Sequence, residues 1–172
     1  DLHIGDMVLH TDSLIGVYMA KYDSADSLLW GEVILECSFQ YGISTPYVYL
    51  DNDNKIYLLL HLPSPIVVNS PTIVSNSLNS SLPYFALIKF DPHGEFEQSF
   101  VLDTDCRNSL SSVEFDQNND LILMAVLGDS NNDGCYCVVN NDTLSIQNKS
   151  TIIFKLNELQ NIQYINGFNA AG

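Results

Sequence analysis

The sequence predicts an all-β fold built from a repeated four-strand unit, and three observations carry that reading. A short apolar run ending in lysine, then an aromatic or leucine and Asp or Asn, occurs three times. The copies are Tyr18-Met19-Ala20-Lys21-Tyr22-Asp23, Ala86-Leu87-Ile88-Lys89-Phe90-Asp91 and Ile152-Ile153-Phe154-Lys155-Leu156-Asn157. The lysines stand 68 and 66 residues apart, and the chain holds only six Lys and Arg, so their recurrence in one context marks an internal repeat. Second, the phrase from Val48 to Leu59 returns from Val113 to Met124 at a constant offset of 65, with an Asp/Asn turn at its centre. Third, the apolar runs are short, β-branched and aromatic, and bounded by Asn, Asp, Ser, Gly and Pro. No window keeps a 3.6-residue apolar stripe, which predicts almost no helix.

One repeat reads as four strands. Strand a lies around Tyr47–Asp51 and strand b at Lys55–Leu62, joined by a turn whose Asp and Asn tolerate positive φ and bond their own backbone. Strand c is Tyr84–Asp91, and strand d is Phe96–Asp103. The runs Leu28–Cys37 and Ile162–Phe168 are d strands of the flanking repeats. Between b and c the middle repeat carries a Ser- and Asn-rich insert, Pro63–Pro83, in which Ile66–Val68 and Thr72–Val74 form a small hairpin. The third repeat has a matching insert, with Cys137–Asn140 and Thr143–Ser145 in the same order. Four antiparallel strands repeated radially make the blade of a β-propeller. The organisation predicted is a partial blade of strands c and d at 1–44, a complete blade at 45–110 and another at 111–172.

A lysine-ending strand, Asp, a turn, Leu-Trp, and then an Asp/Asn turn before a Tyr-Leu strand resembles the bacterial seven-bladed SBBP-type propeller repeat. Tyr18–Trp30, Phe85–Phe96 and Asp51–Tyr57 carry the resemblance, which covers nearly the whole chain. The sequence departs from it at Asn54-Lys55 and Asn119-Asp120, where that family prefers Gly-Asn. The resemblance implies a secreted or surface protein without a defined reaction.

At 172 residues and 46% apolar, the chain can bury a sizeable core. A period near 67 gives about 2.6 blades, and a closed propeller takes about four or more. Asp1–Leu9 aligns with the b–c insert and the last residues follow a d strand, so the expectation is a segment of a larger propeller, or one that copies of itself close. Remaining blades of the same protein, other copies, and surface proteins or glycans are the partners this predicts. The net charge of −15 disfavours nucleic acid, whose backbone asks for a basic footprint. The acids are scattered among turns, as on a solvated surface. No apolar run approaches a membrane span.

Candidate sites are few. Asp129-Ser130-Asn131-Asn132-Asp133-Gly134 has the form of a calcium loop, in which Asp129, Asn131, Asp133 and the backbone oxygen of Cys135 would be ligands. Asn140 stands where an EF-hand has its bidentate Glu, and a plain Asp/Asn-rich turn is the commoner origin of such a run. Cys37, Cys106, Cys135 and Cys137 have no zinc spacing. In blade geometry the loop holding Cys106 and the insert holding Cys135 and Cys137 share one end, so a disulfide from Cys106 to either one is one reading, and thiols in a reducing cell are the other. Sequons at Asn79, Asn141 and Asn148 fall in the inserts and would carry glycans only in a secreted eukaryotic protein. The recurring lysines read either as a ligand-binding ring or as structural groups pairing with acidic turns; the second is favoured. Trp30, Tyr18, Tyr49, Tyr57, Phe85, Phe115 and Phe154 read as packing between blades. There is no nucleophile elbow, zinc-protease helix motif or phosphate loop, and His3, His10, His61 and His93 lack ligand spacing. A non-catalytic surface segment is therefore expected. The alternatives are a fragment of an enzyme acting on extracellular glycans, and a self-assembling fibre or ring subunit.

Overall fold

The computed structural model describes residues 2–10, 15–37, 46–62, 66–67, 72–73, 84–104, 108–128, 135–139, 142–146, 150–157 and 162–169. They contain strands and turns and no helix. In chain order the strands are β1 (Leu2–Ile4), β2 (Met7–Leu9), β3 (Ile15–Tyr22), β4 (Leu28–Cys37), β5 (Tyr47–Leu50), β6 (Ile56–Leu62), β7 (Ile66–Val67) and β8 (Thr72–Ile73). They continue as β9 (Tyr84–Phe90), β10 (Phe96–Thr104), β11 (Asn108–Phe115), β12 (Leu121–Leu127), β13 (Cys135–Val139), β14 (Asp142–Ile146), β15 (Ser150–Leu156) and β16 (Ile162–Asn169). The expected strands are present within a residue or so of their bounds. Strand β11 starts at Asn108.

Two repeats form the same antiparallel meander. In the third it is the four-stranded sheet β11-β12-β15-β16, and in the second it is β5-β6-β9-β10. The first repeat contributes the pair β3-β4. Equivalent positions fall in equivalent registers: Tyr57 faces Lys89 across β6 and β9, and Ile122 faces Lys155 across β12 and β15. None of these sheets closes on itself among the described residues.

The insert hairpins form as expected, with Ile66 opposite Ile73 and Cys137 opposite Leu144. Sequence reasoning did not foresee their destination. Strand β13 of the third repeat pairs with β10 of the second, Leu102 opposite Val139 and Thr104 opposite Cys137. The second repeat's sheet thereby becomes six strands wide, in the order β14-β13-β10-β9-β6-β5. The Thr104 hydroxyl donates to the Tyr136 carbonyl at 2.9 Å, which fixes the crossing.

The sheets stack through their faces. Leu59, Leu87, Phe100 and Leu102 on one face of the second sheet meet Leu123, Leu127, Ile152 and Phe154 of the third. Leu58, Leu60, Ala86 and Ile88 on its opposite face meet Val17, Met19 and Ile34 of the first. Burial on both sides explains why Ile56–Leu60 and Phe85–Phe90 are uninterrupted buried runs. A sheet covered on both faces loses its alternation. Strands β12 and β15 alternate strictly between buried and half-buried because only one of their faces is covered by the second sheet.

Each fully buried Leu, Ile or Phe side chain contributes roughly 1.5–3 kcal/mol of transfer free energy, so the paired faces carry most of the cohesion. Phe154, fully buried, and Ile153, half-buried on the other face of β15, separate this contribution from local strand formation. Phe154→Ala is expected to cost about 3–5 kcal/mol in urea unfolding, and Ile153→Ala about 1 kcal/mol. Equal costs would remove the one-sided stacking of the third sheet.

Candidate functional site

The polar side chains that recur in the sequence gather where the a–b and c–d turns lie. Four of these turns share one construction. Asp23, Asp51, Asp91 and Asp116 each open a turn in which their carbonyl accepts the N–H three residues on, at 3.1–3.2 Å. Their own N–H donates to the carbonyl four residues on. In each, the Oδ1 of the Asp accepts two further backbone N–H groups, two and four residues later, at 2.8–3.0 Å. The residue three after the Asp is left-handed: Asp26 at φ 60°, Asn54 at 61°, Gly94 at 92° and Asn119 at 61°. Asn and Asp accept this conformation at modest cost, so Asn54 and Asn119 take the backbone that glycine would otherwise supply. Gly94 answers a further demand. A Cβ there would meet the Trp30 ring at 3.1 Å, so the first repeat's indole closes directly over the second repeat's turn.

Two of these turns bind each other across the repeats. The Asn52 N–H donates to Asn119 Oδ1 at 3.1 Å, and Asn52 Nδ2 donates to the Asp116 carbonyl at 3.3 Å. Asn119 Nδ2 in turn donates to Asp53 Oδ2 at 2.7 Å. Directly inside, the Tyr57 and Phe115 rings lie 4.6 Å apart. The a–b turn of one repeat is thus latched to that of the next, above an aromatic contact.

The three repeated lysines have three different partners. Lys155 Nζ lies 2.8 Å from Asp116 Oδ2 and 3.0 Å from Asp120 Oδ2, the acidic turn expected of it. Lys89, nearly fully buried, lies 3.3 Å from Glu97 and 5.5 Å from the Tyr57 ring centroid. Its carboxylate partner comes from strand β10 rather than from a turn. Lys21 Nζ donates to the Pro92 carbonyl at 2.6 Å, reaching from the first repeat to the turn of the second. At each site local oxygen or aromatic groups receive the ammonium group.

The hydrogen bond from Lys155, then the Asn118 and Asp120 amides, hold the Asp116 carboxyl below its ordinary range. Lys155 is pushed up by its bonds to Asp116 and then Asp120. At Asp91, desolvation works upward but is outweighed by the Glu95 and His93 amides, and the carboxyl sits low.

Of the residues singled out in the sequence, Tyr57, Phe85 and Phe154 lie in the core between the second and third sheets, with Tyr49 and Phe115 packed against it. Trp30 packs against the other core. Tyr18 is half-buried on the opposite face of β3 from Val17 and Met19. Cys137 is buried in the core opened by the β13 crossing. Asp129, Asn131, Asp133, Cys106, Asn79, Asn141 and Asn148 lie outside the described residues, as does the side chain of Cys135, whose backbone opens β13 opposite Ile146. Among the described residues no three His, Cys, Asp or Glu side chains are grouped to hold a metal ion. The β13 crossing and the Trp30–Gly94 contact escaped sequence reasoning. The Asp-Pro-His-Gly turn at 91–94 was the available signal for the second.

Comparison with protein-family models gave no match, and comparison with curated proteins gave none either.

The charge pair sets a pH dependence. A carboxyl depressed in the folded state stabilises above its unfolded pKa and loses that contribution as pH falls through the folded value. A raised lysine contributes below its unfolded pKa and loses that as pH rises through the folded value. The difference in Tm between the wild type and Lys155→Met is therefore expected to be flat from about pH 5 to pH 9 and to shrink below about pH 4. A difference unchanged down to about pH 2 would show that Lys155 acts by packing alone.

Proposed function

We propose that this chain is a stretch of β-propeller blades of the SBBP-like type, acting without catalysis as an extracellular or cell-surface scaffold in adhesion or assembly. The observation that carries the reading is where the recurring side chains are spent. Asp carboxylates close their own turns, Lys21 and Trp30 bind the neighbouring turn, and Asn52 and Asn119 latch two repeats. What repeats in the sequence is the chemistry of one sheet docking on the next. Two four-stranded meanders stacked through their faces, with a third sheet on the other side, are the arrangement from which a propeller is built. A net charge of −15 spread over turns suits a solvated surface that binds by shape and hydrogen bonding rather than to polyanions.

The alternative that shares this geometry is a blade set from an enzyme acting on glycans, in which two carboxyl groups would flank a bound sugar. The two are separated by incubating the purified chain with a panel of extracellular polysaccharides and surface proteins. The scaffold reading predicts saturable retention on at least one of them with no new reducing ends. Turnover with release of sugar products would overturn it.

A further inference from the structure

The b–c inserts of the second and third repeats each fold into a hairpin, and one of the two is seated on a strand edge. Strand β13 runs antiparallel along the outer edge of β10, the d strand of the preceding repeat, with Leu102 opposite Val139 and Asp103 opposite Val138. The d strand of the first repeat is β4. One of its edges is taken by β3, and the other carries no ladder among the described residues. Strand β7 of the second repeat comes within 8 Å of β4, Cα to Cα, without sharing a ladder with it. Paired antiparallel strands stand about 4.5–5.5 Å apart by the same measure, so β7 lies beside β4 and short of pairing. Strand β2 also approaches β4, but at the opposite end from residues 35–37. There the Met7 sulfur lies 3.2 Å from where a Cβ of Gly31 would stand, over a face rather than an edge.

We propose that the outer edge of β4 is the seat of the β7–β8 hairpin, which closes on it as β13–β14 closes on β10. The pairings within each repeat locate the seat. Leu102 lies opposite Phe85 and Leu35 opposite Val17, and Phe85 and Val17 are 68 residues apart, the interval that separates Lys89 from Lys21. Leu35 and Glu36 are therefore the first repeat's Leu102 and Asp103. Val67 and Val139 each end the first strand of their hairpin. The closed register thus sets Val67 opposite Leu35 and Ile66 opposite Glu36. Ile66 and Val67 are β-branched, as Val138 and Val139 are, and suit an added strand. Reach does not limit the closure: residues 63–65 and 74–83 tether β7–β8, against 128–134 and 147–149 for β13–β14. Closure disposes of an unpaired edge on a ten-residue strand, which otherwise templates pairing with a foreign strand. Each insert is thereby a clasp from one repeat to the one before it. The third repeat's clasp is shut, and the second's stands open beside its seat. The inference rests on the equivalence of the repeats within the molecule and not on ring closure or on an extracellular role.

Nuclear Overhauser contacts and amide-resolved hydrogen exchange on the full 172-residue chain test the proposal. The wild type should show proton contacts across Leu35–Val67 and Glu36–Ile66. Its amides at residues 35–37 that point away from β3 should exchange slowly. Ile66→Pro combined with Val67→Pro removes both amide donors of β7, and those outward amides should then exchange at least about tenfold faster. The β4 amides bonded to β3 should keep their wild-type rates, which shows the first sheet intact in the variant. If the variant fails to fold, the wild-type contacts decide the matter alone. Unprotected outward amides in the wild type, or protection that survives both prolines, would overturn the proposal. So would contacts that place β7 on another strand or in another register.

Discussion

Everything in this structure depends on the inner strands of the second repeat's sheet, β6 and β9, being covered on both faces by its neighbours. A lone antiparallel sheet of this size exposes one apolar face, and the chain solves that by using each sheet as the cover for the next. Leu58 and Leu60 serve one interface while Leu59 and Leu87 serve the other, from strands that touch in the same ladder. Neither interface forms without the middle sheet. Repeat proteins share this logic, in which stability comes from nearest-neighbour contacts rather than from one central core.

The polar features then follow as consequences of stacking. Sheets held about 10 Å apart bring their turns within hydrogen-bond reach, and side chains at the turns must either pair or clash. Asn52, Asp53, Asp116 and Asn119 pair. Trp30 reaches across to Gly94, a position with no side chain to obstruct it. Lys89, buried between the sheets, lies against Glu97 and the face of Tyr57. The β13–β14 hairpin adds a second kind of link. It ties the third repeat to the second through the backbone ladder of β10, in addition to face packing and the turn-to-turn hydrogen bonds.

The strands were legible in the sequence because apolar spacing and Asp/Asn turns are local signals. The repeat made them more so, since each phrase was read two or three times. Lys155 was legible too, because it had an acidic turn near it in register. Its equivalents were not. Lys21 meets a carbonyl of the next repeat and Lys89 meets a strand carboxylate, and both partners are set by how sheets stack rather than by spacing along the chain. The crossing of β13 was hidden for the same reason. Its alternation announces a hairpin, but nothing local says which sheet edge will receive it.

The central claim is that the middle sheet is a shared core, so its strands cannot open while either neighbour stays docked. Native-state hydrogen exchange of the amides in β6, β9, β12 and β15 under graded denaturant tests it directly. If the claim holds, β6 and β9 exchange slowest and merge with β12 and β15 into one global opening, sharing its free energy and its denaturant dependence. Sub-global opening of β6 and β9 at lower free energy, with β12 and β15 still protected, would contradict it.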